Sequence, residues 1–344
     1  MGIPSSPFIL MSLPKRFIPP KIFFDSPLVN QVVQERAFAS GPFQALFSDY
    51  LQSTLKFPHV LLTQNCYSSL VLCLLALSPA SPYIIIPSVC TCFSIYNAVI
   101  AAGLIPLPCP IDPRTFSYCC HSLGILVREY RPTVAIAVSF FGIPADISSC
   151  QELGLFVIED AAQAFFTRLS LQSSAPVIVL SFGITKQLSC LGGGAILTSS
   201  SALSSSLSQA FAVEPSSFLS DHRYPYFPMS NLNAAIALQR VSSLGMLLSR
   251  FKNLKQAYFD QINDSSLYPM AFTHPDVFPS RFVVSISSTH QHCLSFEYYR
   301  ELVSVIPTEQ GPSWLDSLIS LPFFSDLAED QVASVCHDIN CTHS

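Results

Sequence analysis

Charge and glycine are both scarce in this chain. Of its 344 residues only 11% are Asp, Glu, Lys or Arg, and residues 57–111 contain none of the four. The 17 basic side chains are scattered singly or in pairs, as at Lys252 and Lys255, and 22 acidic ones outnumber them, for a formal net charge of -5. Nucleic-acid binding draws on clustered Lys and Arg that displace counterions, so that class is excluded. Long apolar runs are missing too. A spanning helix needs about 20 mostly apolar residues in succession, whereas the uncharged stretch is cut by Thr63-Gln64-Asn65, Ser78-Pro79, Ser81-Pro82, Pro87-Ser88 and Pro106. Its pieces are of core length, despite a mean hydropathy of +0.43. Residues 1–20 lack the order of a secretory leader, because Lys15 and Arg16 follow the apolar run rather than precede it. These absences lead to the expectation of a soluble, cytoplasmic protein with neither a membrane nor a nucleic acid as partner.

What the chain has is apolar material. Half its residues are hydrophobic, which excludes disorder and supports a sizeable core, and the length suits about two domains. The 12 cysteines often lie inside apolar runs, as in LVLCLLAL at 70–77. With no leader sequence in view they read as reduced thiols used as small hydrophobes. Cys90-x-Cys92, the vicinal Cys119-Cys120 and Cys336-His337 have no matching second pair, so no metal site is expected.

Apolar strands alternate with helix-like stretches, the pattern of an α/β layer fold. Residues 43–55, 68–77 and 94–102 have helical character, and 232–262 reads as one long helical stretch. Strand-like runs occur at 58–62, 83–86, near Ile105, and at 133–140, 155–158 and 176–181. The last three are continuous apolar runs, as expected of strands buried on both faces of a mostly parallel sheet. Such sheets place their chemistry at strand ends.

Two strand ends are chemically loaded. LFVI is followed by Glu159-Asp160-Ala161-Ala162-Gln163, and PVIVL by Ser181-Phe182-Gly183-Ile184-Thr185-Lys186, then Gly192-Gly193-Gly194. A carboxylate at the end of a buried strand is costly without a partner, so Asp160 is expected to have a cationic one. Lys186, in an apolar neighbourhood, is expected to lose part of its proton affinity and to serve as a Schiff-base nucleophile. The glycines mark a place where backbone approaches something closely. Taken singly, Asp160 reads equally well as a helix N-cap, and Lys186 as a surface lysine. Taken in order, the residues point to pyridoxal 5'-phosphate, whose chemistry needs a lysine for its aldehyde and an acid for its pyridine nitrogen.

VIEDAAQA at 157–164 and SFGITKQLSCLGGGAILT at 181–198 resemble the cofactor segments of the DegT/DnrJ/StrS aminotransferases. Weaker similarity extends to PSVCTCFSIYNAVIAAGLIPLPCPIDPRTFS (87–117), SFFGIPADI (139–147), MSNLNAAIALQRV (229–241) and SLPFFSDLAEDQV (320–332), so it covers nearly the whole chain. The resemblance implies a fold type I transferase: a mostly parallel central sheet flanked by helices, with a smaller α+β C-terminal domain. It places the large cofactor domain, with the N-terminal segment, at 1–240 and the small domain at 241–344. By position, Lys186 would carry the cofactor, Asp160 would pair with the pyridine nitrogen, Gln163 would lie near the ring 3-hydroxyl, and Ser181 would hold the phosphate. A lysine at 186, where relatives that deoxygenate carry histidine, implies amino transfer. Glutamate would be the donor and the keto group of a nucleotide-linked sugar the acceptor. Cell-wall polysaccharide, lipopolysaccharide and antibiotic sugars all fit.

Departures from the family concentrate at the phosphate site. Its Gly-Thr or Gly-Ser before the first large-domain helix is Cys66-Tyr67 here, with Ser68 as substitute donor. Its Asn-x-Arg-Met segment, which reaches the neighbouring subunit's phosphate, is Tyr226-Phe227-Pro228-Met229, where Tyr226 would donate and Arg223 would compensate. Phe93 is the choice for the side chain stacked on the ring, although core packing is the commoner role for any one of 27 phenylalanines. The resemblance also implies a homodimer with a shared site, the 205–230 loop crossing to the partner; the Ser-rich SSSLSQ at 204–209 reads as part of that loop. Two rival classes remain: a pyridoxal-phosphate fold that binds a ligand or regulates without turnover, and a membrane-associated protein.

Overall fold

The computed structural model describes residues 26–211, 228–286, 299–300, 314, 317–321, 323, 327 and 329–341. Seven strands form the main sheet: β1 (His59–Thr63), β2 (Tyr83–Pro87), β3 (Ile105–Cys109), β4 (Val134–Val138), β5 (Phe156–Asp160), β6 (Val177–Ser181) and β7 (Gly194–Thr198), in the order β1-β7-β6-β5-β4-β2-β3. Strands β2 to β6 are mutually parallel, and β7 runs antiparallel to both β6 and β1. β4 and β6 are buried at every position, and only apolar side chains suit both faces of such a strand.

Helices α1 (Pro27–Glu35), α2 (Pro42–Leu55), α3 (Cys66–Leu77), α4 (Phe93–Ala101), α5 (Cys120–Tyr130), α6 (Ile147–Glu152), α7 (Phe165–Ser170) and α8 (Ser201–Phe211) accompany the sheet. They are followed by α9 (Asn231–Ser242), α10 (Leu244–Gln261), the antiparallel strands β8 (Phe282–Ser285), β9 (Tyr299–Arg300) and β10 (Leu318–Leu321), and α11 (Glu329–Cys341). The fold is thus α/β with a mostly parallel sheet and a small second sheet. α3 is buried from Ser68 to Leu74, packed against β6, β7, α4 and α8. With protein on every side, a charge there would be desolvated, which explains why this part of the chain has none. No helix among the described residues is long and apolar enough to cross a membrane.

Three local expectations change. SSSLSQ lies inside α8 rather than in a loop, because Leu203 and Leu207, one turn apart, are both buried. The single helical stretch over 232–262 is two helices, broken at Ser243, which ends one and begins the next. The glycine run leads into β7, and what its backbone approaches is protein: a Cβ on Gly194 would stand 2.5 Å from the Asn65 carbonyl carbon, and one on Gly193 2.8 Å from Met229 Cε. The nine cysteines from Cys66 to Cys190 and Cys336 are free thiols, and no group of three or more metal-ligating side chains occurs among the described residues.

The end of β5 is fixed by an ion pair that the sequence did not reveal. Glu159, fully buried, accepts from Arg168 Nε at 2.8 Å and from Ser139 Oγ at 2.5 Å, and Arg168 Nη2 lies 2.6 Å from the same oxygen. Side chains alternate along a strand, so with Glu159 turned to α7 its neighbour Asp160 turns to the other face. Removing one partner of such a pair leaves an uncompensated buried charge, at a cost of about 3–5 kcal/mol. Arg168→Ala is accordingly expected to lower the urea midpoint by that equivalent; an unchanged midpoint would show that the pair is not formed.

Candidate active site

β5 and β6 end side by side: Asp160 is the last residue of one, and Ser181 the last of the other. The register Thr63↔Gly194↔Ser181 brings the end of β1 to the same edge. Three segments therefore meet there, 64–69 with the first turn of α3, 161–165 leading into α7, and the loop 182–193, and they carry most of the residues singled out from the sequence. An N-cap hydrogen bond shapes the first, Asn65 Oδ1 accepting from the Ser68 amide at 2.8 Å, while Gly193 donates its amide to the Gln64 carbonyl at 2.8 Å.

Asp160 is 6% exposed. Its Oδ1 accepts from the Ala162 amide at 2.9 Å and from the Cys66 thiol at 3.7 Å, and its Oδ2 has no partner among the described residues. Burial raises the carboxyl's pKa above its ordinary value; the Ala162 amide, the Lys186 charge and the Cys66 thiol pull it back, and the Glu159 charge adds to the rise. Asp160 thus has a cation within electrostatic reach but no ion pair, and Glu159 is the carboxylate that has one. Nor does Asp160 cap a helix: α7 is capped by Ala164.

Lys186 is half-buried, and Ile184 and Thr185 beside it are exposed. Its amide donates to the Gly183 carbonyl at 2.9 Å, and a Cβ on Gly183 would contact both Ser181 Oγ and Lys186 Cγ, at 3.7 and 3.9 Å. Strand-end serine and lysine stem therefore flank one small gap. The next residue anchors this turn: Gln187, buried, accepts from the Phe166 amide at 2.9 Å and donates to the Phe278 carbonyl at 2.8 Å.

Gln163 is half-buried, its Oε1 accepting from the Phe141 amide at 3.0 Å and from Ser280 Oγ at 3.4 Å. With that oxygen engaged, the amide's nitrogen is the end left to face a ligand. The Ser68 amide and hydroxyl both go to Asn65 Oδ1, at 2.8 and 3.0 Å. A helix's first amides have no intrahelical acceptor, and those of Cys66 and Tyr67 open α3 beside the bridge between Asn65 and Gly193. Phe93 opens α4 and is 53% exposed. Tyr226 and Arg223 lie outside the described residues.

Sequence reasoning placed Cys66 at the altered phosphate site but missed its contact with Asp160, and it missed Phe141, Gln187 and the 277–280 segment. Phe278 and Ser280 reach the site loops from just before β8, and Thr167 Oγ1 bonds the Phe278 amide at 2.9 Å. Only the positive φ of Phe141, 56°, betrays its strained turn, and nothing in the residue types predicts such a backbone.

The donor set fits pyridoxal phosphate. It comprises a buried carboxylate with one oxygen unpartnered, a lysine within electrostatic reach, and the first turn of a helix, where phosphates bind well. Comparison with known proteins agrees. Residues 24–295 match the DegT/DnrJ/EryC1/StrS aminotransferase family. GDP-perosamine synthase of Escherichia coli O157:H7 is 25% identical over 305 residues, 79% of this chain and 82% of that protein. The 3-oxo-glucose-6-phosphate:glutamate aminotransferase of Bacillus subtilis (strain 168) is 27% identical over 235 residues, 66% of this chain and 52% of that one. Among solved structures, NtdA from Bacillus subtilis with bound cofactor PMP superposes with a TM-score of 0.77 at 22% identity, covering 92% of this chain and 80% of its own. Matched over most of its length, the chain belongs to the DegT/DnrJ/EryC1/StrS aminotransferase family and is a pyridoxal-phosphate-dependent enzyme.

Proposed function

We propose that the protein moves an amino group from glutamate to a keto group of a nucleotide-linked sugar. The observation that carries this reading is the convergence of Lys186 on a buried Asp160 at one sheet edge. In support, one relative is named for a GDP-linked sugar and another as a glutamate aminotransferase of an oxo-sugar phosphate.

Bound here, pyridoxal phosphate supplies an electron sink for the carbon that gives up or receives the amino group. Lys186 would be the residue that holds it and, when free, the general base that moves a proton at the reacting carbon. Asp160 Oδ2 would be the acceptor for the pyridine nitrogen and would favour its protonated form. Gln163 Nε2 would be the donor for the ring hydroxyl. Ser181, Ser68 and the start of α3 at Cys66 and Tyr67 would hold the phosphate, Phe93 would be the stacking side chain, and Tyr226, by the family resemblance, would serve the phosphate of the neighbouring subunit. In this reading residues 1–240 form the cofactor domain and 241–344 the small domain, and the enzyme works as a cytoplasmic homodimer whose site is shared.

The test is spectroscopic. Purified protein mixed with pyridoxal phosphate is expected to develop a visible band that glutamate bleaches and a keto nucleotide sugar restores, with the aminated sugar identified by mass spectrometry. A band indifferent to glutamate would instead make the protein a binding or regulatory module.

A further inference from the structure

Where the resemblance calls for glycine, this chain has Cys66, and its side chain engages the acid at the opposite end of the cofactor site. Cys66 opens α3 directly after the cap residue Asn65, and its thiol donates to Asp160 Oδ1 across 3.7 Å. The Ala162 amide donates to that same oxygen. Two donors on Oδ1 fix the rotation of the carboxylate and leave Oδ2 as the acceptor for a ligand, on a side chain only 6% exposed.

The titratable groups acting on this acid are the Cys66 thiol from α3, the Lys186 amine from the loop after β6, and Glu159 from its own strand. Cys73, further along α3, acts on Cys66. Burial pushes the Cys66 thiol well up, the Asp160 charge adds to that, and Lys186 opposes it. A thiol so placed remains a protonated donor at neutral pH. A donor to the ionised form of an acid favours that form, in opposition to the burial that disfavours it.

We propose that Cys66 is a positioning residue for Asp160, its thiol orienting the carboxylate and helping to keep it ionised, so that Oδ2 meets a protonated pyridine nitrogen. This role rests on the pyridoxal-phosphate reading above. It also gives the cysteine at 66 a use that glycine lacks.

The experiment measures the dissociation constant of pyridoxal phosphate, from the visible band, as a function of pH for wild type, Cys66→Ala, Cys66→Gly and Cys66→Ser. Removing the donor raises the pKa of Asp160. Cofactor affinity, which needs the ionised acid, should then fail at a higher pH on acidification, and binding at neutral pH should weaken about threefold, as suits a weak donor. Cys66→Ser keeps a donor and is expected to return toward wild type. Cys66→Gly removes the same donor as Cys66→Ala and serves if the latter does not fold. Superimposable pH profiles, or a serine variant that tracks alanine and glycine, would overturn the role, because space filling alone predicts no shift of the acid limb. As a second readout, pyridoxal phosphate should slow alkylation of Cys66 by iodoacetamide; unchanged alkylation would also count against it. If wild type binds no cofactor, the broader reading fails together with this one; if it binds and the variants match it, only the role of Cys66 is lost.

Discussion

Lys186→Ala is expected to abolish amino transfer, with kcat lower by at least about 10³-fold, within the range that a positioned acid–base group contributes. The visible band of the lysine-bound cofactor should vanish with it. This substitution is informative because the fold does not rest on the side chain. Lys186 is half-buried, and the turn that carries it is held by its own amide to Gly183 and by Gln187, which bridges Phe166 and Phe278. Thermal stability should therefore change little, as for surface substitutions generally. A variant that retained a tenth of the activity would show that another amine does the work. One that unfolded would show Lys186 to be structural.

Asp160→Asn should have the second largest effect, and with opposite signs on activity and stability. Asparagine keeps an oxygen for the Ala162 amide but cannot hold the pyridine nitrogen protonated; kcat is expected to fall by about 10²–10³-fold, typical for loss of one electrostatic contact at a reacting centre. Stability should rise. Burial raises the pKa of Asp160 in the folded state, so the folded protein binds its proton more tightly than the unfolded chain does. The stability linked to that proton is fully present below the unfolded pKa and is lost as pH rises through the folded one. At neutral pH the ionised acid is thus a net cost, and asparagine removes it, raising Tm. On acidification the difference between the two proteins should shrink to nothing. A variant less stable than wild type at neutral pH would mean that the thiol, the amide and Lys186 together outweigh desolvation.

Both residues were legible in the chain because their signals are local. Asp160 ends an apolar run and Lys186 follows another by five positions, and a strand buried on both faces of a parallel sheet can hardly be written otherwise than as such a run. The partners were less legible. Arg168 lies nine residues from Glu159, and only the alternation of side chains at the end of β5 tells that Glu159, not Asp160, takes it. Gln187 next to the lysine carries no mark of anchoring Phe278, 91 residues away. Residue type alone likewise does not show that the Ser68 amide and hydroxyl both turn to Asn65.

Segment order, the burial of the strands and the choice of Lys186 and Asp160 as candidates follow from hydrophobic pattern and residue chemistry, which act over a few neighbouring positions. Tertiary structure decided which carboxylate is paired, that β7 turns against its neighbours to bring β1 and its helix to the same edge, and that the Cys66 thiol faces Asp160 from 94 positions away. The physical reason is that a hydrogen bond or an ion pair is a condition on distance and angle in space. No run of neighbouring residues contains that condition until the sheet has assembled and excluded water.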